Sequence, residues 1–143
     1  RQRQMCIRDR SIIGNTGILI SKVIYIKDSG RKKFIILDAA MNDLMRPALY
    51  RAFHRTLPVI RSNKVSNKTY EFVGPICEST DNFLNLKKFQ ELKEKDLIAI
   101  CDVGAYGMSL SSNYNLRPKS IELLIKGSKI NVIRKRQKHT EIL

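Results

Sequence analysis

The sequence predicts a mainly β domain, with its strands arranged as a barrel or a sandwich. Short runs of β-branched, aliphatic and aromatic residues recur along the chain. Clusters of glycine, proline, asparagine and serine separate these runs, as is typical of strands joined by turns. At 143 residues, 43% hydrophobic and 28% charged, the chain fits one globular domain with its own core.

The first strands are predicted as a hairpin. The run at 18–27 is rich in β-branched residues, and the run at 33–38 is apolar and too short for a helix. Residues 28–31 supply turn chemistry between them. The two runs are therefore expected to pair antiparallel.

The next segment changes character. Asn42 or Asp43 could cap a short helical turn. Pro47 disfavours helical geometry at the residue before it, which prevents a long regular helix. Arg46 and Tyr50 are therefore expected on an irregular segment.

The second half of the chain repeats the pattern of strands and breaks. We predict strands near 56–60, 70–73 and 97–102, a loop that includes at most a helical turn at 81–92, and a final hairpin from 120–125 and 129–134. Gly74 and Pro75 break the second of these strands, and a glycine-flanked turn at 104–107 follows the third.

The chain carries a formal net charge of +14 and has a pI near 10.0. Taken alone, this charge suggests a nucleic-acid partner. The basic residues are scattered, however, and lysine beside many isoleucines and asparagines is a usage that an AT-rich genome would produce. We interpret the lysines as solvated surface charges and expect no nucleic-acid partner.

No apolar run reaches the roughly 18 residues that span a bilayer, and no signal-peptide pattern follows the basic start. A cytoplasmic protein without a membrane partner is therefore expected. Residues 1–9 are densely charged and show no clear period. We interpret them as a non-native leader or a disordered basic arm.

The three cysteines are Cys6, Cys77 and Cys101. An odd number without a secretory signal argues against a disulfide framework. No CxxC pair or Cys/His cluster is present, so no metal site is expected. His54 and His139 are isolated, and each is interpreted as a surface or packing residue.

Cys77 and Glu78 follow the glycine-proline break directly, which places a thiol and a carboxylate on a turn. A thiol there can act as an acid, a nucleophile or a metal ligand, depending on its pKa. On spacing alone, a small buried thiol beside a solvated carboxylate is the simpler interpretation.

Three further side chains could bind a ligand. One helical turn would put Arg46 and Tyr50 on the same side, where a guanidinium can grip a carboxylate and a phenol can add a hydrogen bond. Tyr106 lies between small residues that let backbone approach a ligand closely. The alternatives are a surface arginine beside a core tyrosine, and a tyrosine that plugs a barrel end.

Three segments resemble sequences of the diaminopimelate decarboxylase family. Residues 38–50 resemble DAGMNDLxRPALY, residues 73–81 resemble VGPxCESxD, and residues 102–115 resemble DxGAYGxSMSSNYN. The resemblance runs from about Arg10 to the C-terminus, with the segments in the family's order and spacing.

The resemblance implies a fold-type III decarboxylase, in which a β/α barrel precedes a Greek-key-like β-barrel domain with short helical turns. Residues 10–143 would be that C-terminal β-barrel domain. The family decarboxylates meso-2,6-diaminopimelate to L-lysine and carbon dioxide, the last step of lysine biosynthesis, with pyridoxal 5'-phosphate taking up the carbanion electrons. It forms homodimers whose active sites are shared at the interface.

The resemblance also implies a role for each matched residue. Cys77 would be the acid that reprotonates the carbanion, and Glu78 would bind the amine at the far, non-reacting centre of the substrate. Arg46 and Tyr50 would hold a substrate carboxylate and neighbouring groups. Tyr106 would contact the cofactor phosphate and the substrate.

The start of the chain departs from the family. Arg10 aligns with the arginine of the family's EPGR segment and is a candidate substrate ligand, but Ile7, Arg8 and Asp9 replace the three residues before it. The β/α barrel would carry the Schiff-base lysine, the cofactor-stacking histidine and the glycine-rich phosphate loop. The chain alone is therefore expected to be inactive.

Two alternatives stand beside this interpretation. Sibling decarboxylases act on ornithine, arginine or carboxynorspermidine, but ornithine-type relatives typically have Cys-Asp where this chain has Cys77 and Glu78. The alternative of another class is a basic β-barrel that binds nucleic acid, for which Tyr25 and Phe34 among nearby lysines form the one passable cluster. A regulatory domain without catalysis is opposed by the intact Cys-Glu pair.

Overall fold

The structure, a computed structural model, describes residues 11–142, so the predicted leader at 1–9 and Arg10 lie outside the described residues. Strands account for most of the regular structure. In chain order the elements are β1 (Ile18–Asp28), β2 (Lys32–Leu37), α1 (Arg46–Tyr50), β3 (Thr56–Pro58), β4 (Thr69–Val73), β5 (Asn82–Leu86), β6 (Leu97–Cys101), β7 (Glu122–Lys126) and β8 (Lys129–Arg134). Short 3-10 turns lie at Gly14–Thr16, Met108–Leu110, Tyr114–Leu116 and His139–Glu141.

Six strands form one sheet in the order β3-β6-β1-β2-β4-β5, and β7 pairs with β8 in a separate hairpin. Every neighbouring pair is antiparallel except β2 with β4. The register between β1 and β2 shifts between Val23 and Tyr25. Such an irregularity increases the local twist, which favours the curled, half-barrel form of the sheet. The predicted mainly β class with short helical turns is confirmed.

The core forms on one face of the sheet because residues two apart along a strand share a face. Its fully buried members include Val23, Ile35, Leu37, Tyr70, Phe72, Ile98 and Ile100. The rings of Phe72 and Phe89 pack edge to face with their centroids 5.3 Å apart. Burial of this apolar surface, worth roughly 25 cal/mol per Å², fixes the strand ends from which the site loops begin.

Most of the predicted strands are confirmed. β1 and β2 form the first hairpin, and β7 and β8 form the last one around Gly127, whose φ is 59°. β3, β4 and β6 lie where the sequence predicts strands near 56–60, 70–73 and 97–102.

The predicted loop at 81–92 is wrong in its first half, because β5 occupies Asn82–Leu86. Phe83 and Leu84 are buried, and β5 pairs antiparallel with β4. Asn82 and Asn85, which flank this pair, hid the strand, since pairing and burial outweigh the weak strand propensity of asparagine.

The predicted irregular segment at Arg46 and Tyr50 is also wrong, because both lie in the helix α1. Pro47 stands in the first helical turn, where its missing N–H would have no acceptor within the helix. Proline therefore starts this helix instead of preventing it. The helix ends at Arg51, which adopts a left-handed conformation with φ 51°.

Candidate active site

Cys77 and Glu78 lie on the loop that joins β4 to β5, which we call the Cys77 loop (residues 74–81). Both side chains are exposed, whereas Ile76 before them is buried. The backbone N–H of Glu78 donates to the carbonyl oxygen of Ile76 at 2.8 Å. The alternative of a buried thiol is therefore wrong, and the loop presents a thiol and a carboxylate to its surroundings.

The carboxylate of Asp81 holds the Cys77 loop in place. Asp81 is only 3% exposed, and its Oδ2 accepts a hydrogen bond from the Ile76 backbone N–H at 2.8 Å. Its Oδ1 accepts one from the Met41 backbone N–H at 2.7 Å. Burial raises the pKa of Asp81, and the two backbone donors act in the opposite direction. One side chain thus connects the Cys77 loop to the segment 38–43.

Gly74 makes room for this carboxylate. A Cβ at Gly74 would overlap the carboxylate group of Asp81, so a larger residue cannot occupy the position without moving the loop. The Gly74 N–H also donates to the Asp81 carbonyl oxygen at 3.0 Å. The glycine that breaks β4 is therefore needed for close packing against the aspartate.

Glu78 contacts a third segment, the 112–117 loop. The hydroxyl of Tyr114 donates to Oε1 of Glu78 at 2.7 Å. The hydrogen bond to Glu78, and after it the negative charge of that carboxylate, raises the pKa of Tyr114, so the phenol keeps its proton and remains a donor. Among the described residues, Glu78 Oε2 has no hydrogen-bond partner.

The 112–117 loop is itself anchored on the segment 38–43. Asn42 is fully buried, and its carbonyl oxygen accepts a hydrogen bond from the Ser112 N–H at 3.0 Å. Its side-chain oxygen accepts one from Nε of Arg117, also at 3.0 Å. The segment 38–43, the Cys77 loop and the 112–117 loop are therefore joined in pairs, each to the other two.

Arg46 and Tyr50 lie at the two ends of α1. Tyr50 is 66% exposed and Arg46 is half-buried. His54 is buried nearby, with its Nδ1 3.0 Å from the carbonyl oxygen of Cys101. Burial lowers the pKa of His54, and the positive charge of Arg46 lowers it further. Of the two interpretations of His54, surface or packing, the second is confirmed, since its side chain is buried against the end of β6.

Tyr106 lies on the 102–107 loop, which follows β6. Its φ is 61°, and 40% of its surface is exposed. Gly104 donates to the carbonyl oxygen of Gly14 at 3.0 Å, and a Cβ at Gly104 would overlap the carbonyl oxygen of Ile13. A Cβ at Gly107 would overlap the Val103 carbonyl oxygen. Two glycines thus permit the tight turn that presents the Tyr106 phenol.

Within residues 11–142, no group of three or more histidine, cysteine, aspartate or glutamate side chains is placed to hold a metal ion. No helix in the same range is long and apolar enough to cross a membrane.

Residues 11–104 match the family model of the pyridoxal-dependent decarboxylase, C-terminal sheet domain. The chain belongs to this family. It is 42% identical over 134 residues to the diaminopimelate decarboxylase of Aquifex aeolicus (strain VF5). The aligned region covers 94% of this chain and 32% of that relative. The chain is 46% identical over 136 residues to the enzyme of that name from Zymomonas mobilis subsp. mobilis, covering 94% and 31%.

The fold of this decarboxylase domain is similar to that of a solved relative. The crystal structure of diaminopimelate decarboxylase from Helicobacter pylori complexed with L-lysine superposes with a TM-score of 0.84 at 46% identity, covering 93% of this chain and 32% of that one. The chain thus spans about a third of the length of the relatives it matches.

The decarboxylase domain contains two residues that the sequence did not single out. Asp81 and Tyr114 both stand in the segments that carry the resemblance, but neither was given a role. For Asp81, the sequence did contain a signal, because a glycine and an aspartate bracket the Cys-Glu pair at Gly74 and Asp81. No local pattern could link Tyr114 to Glu78, because 36 residues separate them.

Proposed function

We propose that the chain is the C-terminal domain of a diaminopimelate decarboxylase that converts meso-2,6-diaminopimelate into L-lysine and carbon dioxide. The exposed Cys77–Glu78 pair, on a loop held by Asp81 and Tyr114, carries this proposal. The identities of 42% and 46% to enzymes of that name support it. L-lysine, the ligand of the Helicobacter pylori relative, is the product that the proposal expects.

Pyridoxal 5'-phosphate is the cofactor that the family implies, and Tyr106 is a candidate for binding it. Tyr106 is 40% exposed, on a tight turn that Gly104 and Gly107 permit by packing closely against neighbouring backbone. Its hydroxyl can donate to a phosphate oxygen or to the substrate. When bound, the cofactor accepts the electron pair that remains on the substrate carbon after carbon dioxide leaves.

The other site residues act on the substrate. Cys77 holds at Sγ the proton that is delivered to the reacting carbon, and its exposure makes the thiol accessible to that carbon. Glu78 accepts hydrogen bonds from the ammonium at the non-reacting centre. Arg46 binds a substrate carboxylate, which Tyr50 reaches from the other end of α1. Arg10 remains a candidate for carboxylate binding as well.

The proposed enzyme is a homodimer in which the Cys77 loop enters the active site of the partner subunit. The exposure of both Cys77 and Glu78 supports this part of the proposal, because a loop that completes another subunit's site must project from its own. Mixed dimers test it. A subunit with Cys77→Ser paired with a subunit that lacks the Schiff-base lysine should regain about one active site per dimer. No recovered activity would place both groups in one subunit.

The function itself is tested on the full-length protein with added pyridoxal 5'-phosphate. Carbon dioxide release is measured from meso-diaminopimelate, ornithine, arginine and carboxynorspermidine. Release from meso-diaminopimelate alone is expected, and equal or faster release from another substrate would reject the proposal in favour of a sibling enzyme. The 143-residue chain alone should release none. Salt-dependent binding of single-stranded nucleic acid would support the alternative of another class.

A further inference from the structure

Tyr114 and Glu78 come from separate loops and meet through a single hydrogen bond. The Tyr114 hydroxyl donates to Glu78 Oε1 at 2.7 Å. Both side chains are exposed, with 43% of Tyr114 accessible. An exposed glutamate ordinarily samples several rotamers, so a fixed donor restricts its carboxylate to one orientation.

The hydrogen bond joins two loops that are each anchored, by different contacts, on the segment 38–43. Tyr114 begins a 3-10 turn in which Asn115 adopts a left-handed conformation with φ 57°. The amide of Asn113 closes this turn by donating to the Arg117 carbonyl oxygen at 2.9 Å. The Asn42 contacts anchor the turn, and Asp81 anchors the Cys77 loop. The phenol is therefore held at a defined place relative to the backbone of Glu78.

The second oxygen of the Glu78 carboxylate indicates which ligand group the Tyr114–Glu78 pair can bind. Tyr114 occupies Oε1, while Oε2 of Glu78 has no partner in the part of the chain that the structure describes. A carboxylate oxygen held in this way is prepared for an ammonium N–H, which binds anions through charge-assisted hydrogen bonds. Pre-orientation of the acceptor reduces the entropy lost when the ammonium binds.

We propose that Tyr114 is a positioning residue that orients the Glu78 carboxylate toward the distal ammonium of the substrate. This inference rests on the proposed function. Tyr114 acts through Glu78 and does not touch the reacting carbon. It therefore contributes to the selection of amino acids that carry a second amino group at the far end, the α,ω-diamino acids.

The substitution Tyr114→Phe in the full-length enzyme keeps the ring and removes only the hydroxyl. We expect KM for meso-diaminopimelate to rise about five- to tenfold, the size of one ordinary hydrogen bond, because Tyr114 acts on the ammonium only through Glu78. The value of kcat should stay within about twofold, because the distal ammonium is remote from the chemistry. The inhibition constant of L-lysine should rise by the same factor as KM. Tyr25→Phe, on an exposed tyrosine of β1, is the matched control and should change neither constant.

A double-mutant cycle separates positioning from a general structural effect. In a Glu78→Ala background, Tyr114→Phe should have no further effect on KM, because the group that it positions is absent. An unchanged KM in the single variant would overturn the inference. An equal rise in KM in the presence and absence of the glutamate would also overturn it.

A titration of Tyr114 gives a readout that does not depend on activity. Glu78 raises the pKa of the Tyr114 phenol above the ordinary 10.0, and this pKa should decrease in Glu78→Gln. The titration is monitored by NMR of ring-labelled tyrosine, and the Tyr114 signal is assigned by its loss in Tyr114→Phe. An unchanged Tyr114 pKa in Glu78→Gln would overturn the pairing. Failure of the wild-type enzyme to release carbon dioxide would instead reject the proposed function, and the titration would still decide whether Tyr114 holds Glu78.

Discussion

The Cys77 loop and the 102–107 loop both follow strands of the same sheet, but different interactions hold them. The Cys77 loop is held by a buried carboxylate, since Asp81 accepts two backbone hydrogen bonds from separate segments. The 102–107 loop is held by close backbone packing, since Gly104 lies against Gly17 and Ile13 with no room for a Cβ. One loop depends on a charge and the other on the absence of side chains.

This difference predicts how each loop fails. Hydrogen bonds to a carboxylate can be removed one at a time, and a neighbouring water molecule can replace part of what is lost. Overlap between backbone atoms cannot be relieved by rotating a side chain, so the whole segment must shift. A single substitution should therefore destabilise the 102–107 loop more than the Cys77 loop.

The largest effect is expected for Gly104→Ala. The new Cβ would overlap the Ile13 carbonyl oxygen and would lie 3.0 Å from the Gly17 nitrogen, and both are backbone atoms. We expect the free energy of unfolding to fall by about 3 kcal/mol, measured by urea denaturation.

Gly30→Ala is the matched control for this substitution. Gly30 has φ 75° but no atom within 4 Å of its ideal Cβ, so it reports conformational strain without overlap. A loss of about 1 kcal/mol is expected there. Equal losses at Gly30 and Gly104 would show that overlap does not hold the 102–107 loop.

Asp81→Asn should have the next largest effect. The amide keeps one acceptor but turns an NH₂ group toward either the Met41 or the Ile76 N–H, so one buried donor loses its partner. A loss of about 2 kcal/mol in unfolding free energy is expected, together with a lower kcat in the full-length enzyme as the Cys77 loop shifts. Asp96→Asn, where the carboxylate accepts from the Lys93 N–H in an exposed turn, should stay within about 0.5 kcal/mol. A stable Asp81→Asn variant with full activity would contradict the role of Asp81 as the anchor.

The same comparison explains how much of the molecule the sequence could predict. β1, β2 and the final hairpin follow from local strand propensity and turn residues, so their prediction was correct. β5 was missed because its stability comes from pairing with β4, which local composition does not report. α1 was missed because the effect of Pro47 on the residue before it was weighed, and its suitability for a first helical turn was not.

The candidate site divides in the same way. Cys77, Glu78 and the tyrosine of the 102–107 loop are proposed as site residues because their segments resemble a known family. Asp81 and Tyr114 make contacts across 40 and 36 residues of sequence, and only the fold brings those partners together. Resemblance to a family therefore nominates the groups proposed to perform chemistry, and the structure is needed to identify the groups that hold them.

Lowering the pH should reduce the stability of the folded chain through a histidine next to the 102–107 loop. His54 bonds to the Cys101 carbonyl oxygen just before that loop, and its folded pKa lies below the ordinary 6.5. Between the two pKa values, His54 is protonated in the unfolded chain and neutral in the folded chain. The contribution of His54 to the free energy of unfolding is therefore complete above pH 6.5 and is lost as the pH falls through the lower, folded pKa. We expect the urea midpoint to decrease as the pH is lowered from 7.5 to 5.5.

His54→Asn tests the source of this dependence, because its amide can still donate to the Cys101 carbonyl oxygen but does not titrate. The variant should show a flatter dependence of stability on pH. His139→Asn, at an exposed position near the C-terminus, should retain the wild-type slope. Asp81 cannot account for the expected decrease, since burial raises its pKa and a raised carboxyl pKa favours the folded state as the pH falls. An unchanged slope in His54→Asn would assign the dependence to another group.

The smallest effect on stability is expected for Cys77→Ser, although its effect on the proposed activity should be large. The thiol is exposed, so its replacement should change the unfolding free energy by less than about 0.5 kcal/mol. A serine hydroxyl is a far weaker acid, so loss of the proton donor should lower kcat by about 10²- to 10⁴-fold in the full-length enzyme. A large loss of stability together with retained activity would show that Cys77 is structural. The expected separation follows from the position of the two groups, because Asp81 holds the loop from within while the proposed proton donor is exposed at its tip.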